Sequence, residues 1–356
     1  MKKKALLITC LFVLGLSVIV LLYFVSGGST ISHHSFYRFF PKSPLSLSKN
    51  LDLKYDSYYL AGASSSKIYL GNVVAPLDLL ISNYNLTDTQ HVRIRNEGGL
   101  NIKASQISID SPNIYITDLH SSAILKSTLE ELNAKRFMYD SAFFAEAVAL
   151  SHNSFVIRIW KEETREFSLA KETQYWPFLQ EFPDLLEKQM DGIFSTDGML
   201  HFNSKLNRLV YVYFYRNQFI CMDTSLNLIY RRNTIDTISQ AHIKVAEIKS
   251  NNSLTLAAPP LVVNKKSCTS EHWLFVNSGL LSKNENKKEF RKSSVIDVYK
   301  LLDGEYQFSF YLPDFNGQKI RDFKVFGNQL VAIHNRFLVI YRLDRKYFKK
   351  NIDTFK

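Results

Sequence analysis

Cysteine is nearly missing from this chain: there are three in 356 residues, and apart from Cys10, inside an apolar stretch, only Cys221 and Cys268 occur. Two cysteines cannot make a disulfide framework in so long a chain, and spacing alone leaves open whether they bridge or lie apart as buried thiols. No Cys-x-x-Cys pair occurs, which removes the usual thiol-redox and zinc arrangements; with no Cys-x-x-Cys-His, attached haem is removed as well. Glycine and proline are scarce, at 13 and 9 residues, so the chain is neither fibrous nor of low complexity. The nine histidines (33, 34, 91, 120, 152, 201, 242, 272 and 334) show no His-x-x-x-His spacing. His33 and His34 are adjacent, and an inert tether pair is the stronger reading against a metal contact. Gly-x-Ser-x-Gly and the phosphate-binding Gly-x-x-x-x-Gly-Lys-Ser/Thr are absent, which argues against a common hydrolase elbow or a P-loop. Asp314 to Gly317 begins like a calcium loop but lacks the later acidic positions, and reads as a turn. No catalytic, cofactor-binding or metal-binding residue is assigned, and no cofactor is expected.

Charge is absent from residues 5–25, where a continuous apolar run follows Lys2, Lys3 and Lys4. At about 1.5 Å per residue, roughly 21 residues span about 30 Å, the thickness of a bilayer's hydrocarbon core. A cleavable signal has a shorter apolar region, so the run reads as an uncleaved transmembrane signal anchor, with cleavage near Ser26 and Gly27 as the alternative. Residues 1–4 form a basic tip that stays in the cytoplasm, because Lys and Arg favour that side. The expectation is a single-pass protein of a bacterial inner membrane with its main domain periplasmic or extracellular.

Beyond the anchor, hydrophobic residues make up 46% of the chain and charged ones 22%, an ordinary globular balance. A net charge of +11 could steer the domain to anionic headgroups or acidic polymers. The excess is spread along the chain, however, and the densest stretch, Lys283 to Lys292, also carries Glu285 and Glu289; it reads as a solvated loop. No nucleic-acid motif is present, and no nucleic-acid partner is expected.

Residues 26–47 read as a tether whose aromatics, Phe36, Tyr37, Phe39 and Phe40, either sit at the membrane interface or pack on the domain. With 26 Phe and 19 Tyr, mostly beside Val and Ile, the rest favours strands. Strand-like runs recur from residue 48 to 346, among them Ser57 to Ala61, Phe155 to Trp160, Arg208 to Tyr215 and Phe337 to Leu343. Many short strands with almost no helix between them predict an all-β, antiparallel β-propeller. About 300 residues divide into six blades of roughly 50, with seven as the alternative. A phrase of strand, tight turn and strand runs from Asn207 through Arg216 and Asn217 to Asp223, and again from Asn328 through Asn335 to Asp344. The exception is residues 173–193, where Pro183, Asp184 and the spacing of Leu185, Leu186, Gln189 and Met190 predict a short helical insertion. Residues 347–356 form a basic C-terminal tail.

The segments Val295 to Tyr299, Phe310 to Pro313, Lys319 to Phe323 and Leu330 to Ile333 resemble those of six-bladed β-propeller-like envelope proteins of Bacteroidetes. Thr234 to Thr237 and Ala258 to Asn264 add to the likeness, which covers about the last 150 residues well and the earlier ones by rhythm. It implies a fold and no catalytic residues. Asp236 and Asp297 could line a central channel, although such an aspartate more often ties down a turn. The functional expectation is a membrane-tethered scaffold that binds an envelope protein or peptide partner. The alternative is a small-ligand sensor or enzyme with its site in the central channel; electron transfer ranks last.

Overall fold

The computed structural model describes residues 2–25, 32–42, 44–137, 142–248, 250 and 253–348. A helix α1 (Lys2–Val25) precedes a body of short strands, the first being β1 (Leu45–Asp52). Four-stranded antiparallel meanders then follow one another. Blade 1 is β2 (Tyr58–Ala63), β3 (Lys67–Asn72), β4 (Asp78–Asn83) and β5 (Thr89–Arg93), trailed by the two-residue β6 (Arg95–Asn96). Blade 2 is β7 (Ser105–Asp110), β8 (Asn113–Asp118), β9 (Ala123–Thr128) and β10 (Asn133–Arg136). Blade 3 is β11 (Phe144–Ser151), β12 (Ser154–Lys161), β13 (Glu166–Thr173) and β14 (Leu179–Phe182). Blade 4 is β15 (Gly198–Asn203), β16 (Arg208–Tyr213), β17 (Gln218–Met222) and β18 (Leu228–Asn233). A hairpin of β19 (Val245–Ile248) and β20 (Ser253–Leu256) intervenes. Blade 5 is β21 (Asn264–Ser270), β22 (Trp273–Ser278), β23 (Ser293–Lys300) and β24 (Tyr306–Pro313), with the short helix α2 (Lys287–Arg291) between its middle strands.

Blade 6 joins the two ends of the body. β25 (Asp322–Phe326), β26 (Gln329–His334) and β27 (Phe337–Leu343) take β1 as their fourth strand, in a register running from Leu45 opposite Leu343 to Asp52 opposite Phe337. At the inner edge, β2 and β7 meet in parallel at Gly62 and Ile109, and β6 pairs with β10, so blades 1 and 2 share a nine-stranded sheet. A Cβ on Gly62 would lie 2.4 Å from the Ile109 carbonyl oxygen; the residue is glycine because two blades touch backbone to backbone here.

The core lies between blades. Six buried clusters fill the six blade interfaces, for example Tyr115 of blade 2 against Phe155 of blade 3, and Phe310 of blade 5 against Phe323 of blade 6. A middle strand is thus buried on both faces. In β16, Leu209 and Tyr211 pack toward blade 3, while Val210 and Val212 pack toward blade 5. That is why apolar residues run continuously there instead of alternating. Each fully buried large apolar side chain contributes about 1.5–3 kcal/mol.

Two expectations change, over 173–193 and 283–292, and two readings left open, on the strap and the cysteines, are decided. Residues 173–193 hold the end of β13, β14 and a series of turns, with no α-helix. The Asp191 carboxylate accepts the Ile193 and Phe194 amides (2.8 and 2.5 Å), and the Arg216 guanidinium donates to the Ser195 and Glu187 carbonyls (2.8 and 2.6 Å). Within the stretch, side chains thereby take the Ile193 amide and the Glu187 carbonyl, groups that helical bonding would have used. The 283–292 stretch includes a helix, α2, capped by the Asn286 side chain accepting from Lys288. The tether, in turn, is not free over residues 32–42: Phe36 and Arg38 are buried against the body, and strand structure starts at Leu45 rather than 48. Finally, Cys221 and Cys268 are free thiols, one packed between blades 4 and 5 and the other between blades 5 and 6. Residues 349–356 of the basic tail lie outside the described residues. Among the described residues no helix is long and apolar enough to cross a membrane; within α1, side chains are described continuously over residues 6–20, about 22 Å of rise.

Candidate functional site at the lower rim

Every blade starts with its inner strand, and the inner strands run the same way across the body. The first-to-second and third-to-fourth turns of each blade therefore share one rim, here called lower, and the second-to-third turns share the upper rim. On the lower rim a cavity of about 970 Å³ opens where inner turns of five blades converge, through Ser64, Ser111, Lys205, Glu271 and Asn328. Small polar residues populate these turns because their side chains or left-handed backbones close tight hairpins: Asn207 and Glu271 both have φ near +50°. The Asn203 amide donates to the Glu271 carbonyl (3.1 Å), tying the turn of blade 4 to that of blade 5.

Above the cavity, toward the axis, His201 of β15 lies with its Nε2 2.7 Å from the Ser267 hydroxyl of β21. Burial, with Lys324 and Lys266 close by, pushes His201 down to about 3. Such a histidine stays neutral at physiological pH and is a weak general base, since proton transfer favours a group titrating near the working pH. Among the described residues no carboxylate orients its other ring nitrogen. The His201 and Ser267 pair can bind a polar group; the chemistry for nucleophilic attack is missing.

A second polar group sits between blades 3 and 4. Glu146 of β11 accepts the Leu200 amide through Oε1 (2.8 Å), and its Oε2 is buried without a partner. Burial pushes this carboxyl up to about 7. Arg158, opposite Glu146 in the strand register, donates to Asp197 (2.9 Å) and lies over the Phe167 ring at 4.2 Å.

The lower rim also carries a bare aromatic hairpin. Between β13 and β14, Tyr175, Trp176 and Phe178 are 67%, 84% and 53% exposed. The Thr173 hydroxyl shapes this turn, its single proton facing the carbonyls of Tyr175 (2.6 Å) and Pro177 (3.0 Å). These residues were legible in the sequence as aromatics, but the helix predicted for 173–193 would have hidden their projection from a hairpin tip.

The residues singled out earlier fall elsewhere. Asp236 closes a turn, accepting from the Thr234 hydroxyl (2.6 Å) and the Ile238 amide (2.9 Å). Asp297 is buried on the third strand of blade 5 and pairs with Arg38 (2.7 Å). Neither lines the cavity. Asp314 precedes a turn closed by the pairing of Phe315 with Gln318, with Gly317 at φ +74°. His33 lies 2.8 Å from the Ser282 carbonyl oxygen, and His334 bridges the Gln318 carbonyl and the Tyr341 hydroxyl. Of the tether aromatics, Phe36 is buried and Phe40 stacks on Tyr311 at 4.6 Å, while Tyr37 and Phe39 face outward. Sequence reasoning missed His201, Ser267 and Glu146, because their partners come from different blades.

No family model and no curated protein matches this chain. Among solved structures it is similar to a member of the DUF4221 family from Bacteroides vulgatus, with a TM-score of 0.51 and 14% identity over 84% of this chain and 97% of that one. A catalytically inactive virginiamycin B lyase from Staphylococcus aureus gives a TM-score of 0.49 and 10% identity over 84% of this chain and all (100%) of that one. YCF48 bound to D1 peptide gives 0.48 and 10%, over 87% of this chain and 100% of that one. At such identities the first of these likenesses concerns the fold alone.

Proposed function

We propose that this chain is a membrane-tethered, extracytoplasmic β-propeller that binds a protein or peptide partner on its lower rim. The observation that carries the reading is the division of labour between rims. The N-terminal strap meets the body at the upper rim, where the His34 amide donates to the Leu281 carbonyl (2.9 Å). The polar cavity and the Tyr175–Trp176–Phe178 hairpin lie on the opposite rim, facing away from the tether. Exposed aromatics beside polar turns have the composition of an interface hot spot. The anchor is supported by the uncharged run over residues 5–25 and by the unbroken 24-residue α1, about 36 Å of helix. The preceding lysines favour a cytoplasmic N-terminus and a body outside a bacterial inner membrane.

The test is purification of the full chain from solubilised membranes beside Trp176→Ala/Phe178→Ala. The wild type is expected to retain a stoichiometric protein or peptide that the double variant loses. A wild type that never carries one, under any mild detergent, sinks the reading.

A second reading, a small anionic ligand in the channel, is favoured by His201 lying near Lys266 and Lys324 on three neighbouring inner strands. Citrate should then raise the melting temperature of the wild type and leave Lys324→Gln unmoved. No shift in either protein removes it.

A further inference from the structure

The 283–292 stretch looks charge-balanced in sequence, and the fold removes half of its acid. Glu285 is turned inward, where its carboxylate accepts from Arg38 (2.5 Å) and the Ser282 amide (2.7 Å). Lys283, Lys287, Lys288, Arg291 and Lys292 all remain exposed, with only Glu289 among them. Five cations against one anion thus crowd the loop and α2 on the upper rim of blade 5.

The strap holds this patch close to where α1 ends. The Lys283 amide donates to the Phe36 carbonyl (2.8 Å), and the Asn284 side chain takes both the amide and the carbonyl of Arg38 (3.1 and 2.8 Å). Only seven residues, eight Cα–Cα steps, lie between Val25, the last of α1, and His33. They reach at most about 29 Å when fully extended. Beside the cations the strap alternates: Phe36 and Arg38 point inward, while Tyr37 and Phe39 are 59% and 63% exposed. The Lys283 ammonium lies 5.5 Å from the Tyr37 ring centroid.

We propose that this surface rests on anionic phospholipid headgroups of the same bilayer that α1 enters, with Tyr37 and Phe39 at the interface and the cations over the headgroups. The inference rests on the anchor reading above and deepens it, since it fixes which rim faces the membrane. A short leash and a net of four exposed positive charges select a lipid surface over a protein partner.

The experiment uses the full chain in a Cys10→Ser background, reconstituted in phosphatidylcholine vesicles with or without phosphatidylglycerol. A fluorophore is placed at Lys287→Cys or, on the lower rim, at Leu302→Cys, and read against a headgroup-level quencher lipid. Quenching is expected at 287, only with phosphatidylglycerol, and not at 302. Lys283→Gln/Lys288→Gln/Lys292→Gln should weaken the contact roughly a hundredfold, at about fivefold per cation removed, and abolish the quenching. Equal quenching at both positions, or none at 287 in vesicles from which carbonate does not extract the protein, overturns this proposal alone. Extraction of the protein by carbonate overturns the anchor reading, and this proposal with it.

Discussion

Arg38 reaches 259 positions along the chain to hold Asp297 with two hydrogen bonds, Nε to Oδ1 at 2.7 Å and Nη2 to Oδ2 at 3.0 Å. Its Nη1 binds Glu285 (2.5 Å) and the Leu280 carbonyl (2.9 Å), and the Ser309 hydroxyl donates to Asp297 (2.5 Å). Burial works to lower the guanidinium, but the two carboxylates outweigh it and hold it above its ordinary value. One arginine from the strap binds two buried acids of blade 5 at once.

Removing it leaves those acids unpaired. Arg38→Ala is expected to destabilise the fold by about 3–5 kcal/mol, because the loss of one partner strands buried charge. Adding Asp297→Asn and Glu285→Gln should recover part of that loss. Urea unfolding of the three proteins measures it. An Arg38→Ala midpoint equal to the wild type would show the strap to be dispensable.

Glu146 makes stability depend on pH. Its carboxyl is pushed up to about 7 by burial, against an ordinary 4.5, so the folded state keeps a proton that the unfolded chain has already released. Its contribution is therefore lost as pH rises from about 4.5 and levels off above about 7. Glu146→Gln retains an acceptor for the Leu200 amide and cannot ionise. The melting temperature of the wild type should fall relative to the variant between about pH 5 and 7.5 and run parallel to it outside that window. Parallel curves throughout would mean that Glu146 is not held protonated.

Gly62 tests the contact between blades 1 and 2. Gly62→Ala drives a methyl against the Ile109 carbonyl oxygen, 2.4 Å from the ideal Cβ position, and should cost about 1–3 kcal/mol. Gly98, with nothing within 4 Å of its own Cβ position, is the control: Gly98→Ala should be neutral or stabilising by up to about 1 kcal/mol. Thermal melts that rank the two the other way would contradict the inner-edge geometry.

The thiols should be silent in the folded protein. Burial pushes Cys268 up to about 12 and also raises Cys221. An aromatic disulfide reagent at pH 8 should label neither in the native body and both after unfolding, and a reductant should leave the melting temperature unchanged. Native labelling at either position would place it at the surface.

Legibility tracked burial. Strands buried on both faces, such as β12, β16 and β26, stand out as apolar runs. The two-residue turn at Asn335 was readable because asparagine tolerates the left-handed backbone it adopts, φ +52°. By contrast β1, β10, β14 and β21 read LSLSKNLD, NAKR, LQEF and NKKSCTS. Outer strands face water and the inner β21 runs along the axis, so no hydrophobic pattern announces them. The misread helix at 173–193 had acceptable spacing; Asp191 and Arg216 redirected its backbone through contacts that spacing does not encode.

The sequence by itself determined the uncharged N-terminal run, the all-β class, the propeller rhythm and the absence of familiar catalytic motifs, because each is a local property of composition or spacing. Only the tertiary structure decided which acids of a mixed-charge loop remain outside, which aromatics of the strap face inward, that the two body cysteines lie in different blade interfaces, and which rim bears the cavity. Those outcomes depend on partners from other blades, up to 259 positions away, and a pairing over that distance is set by how the blades close on one another.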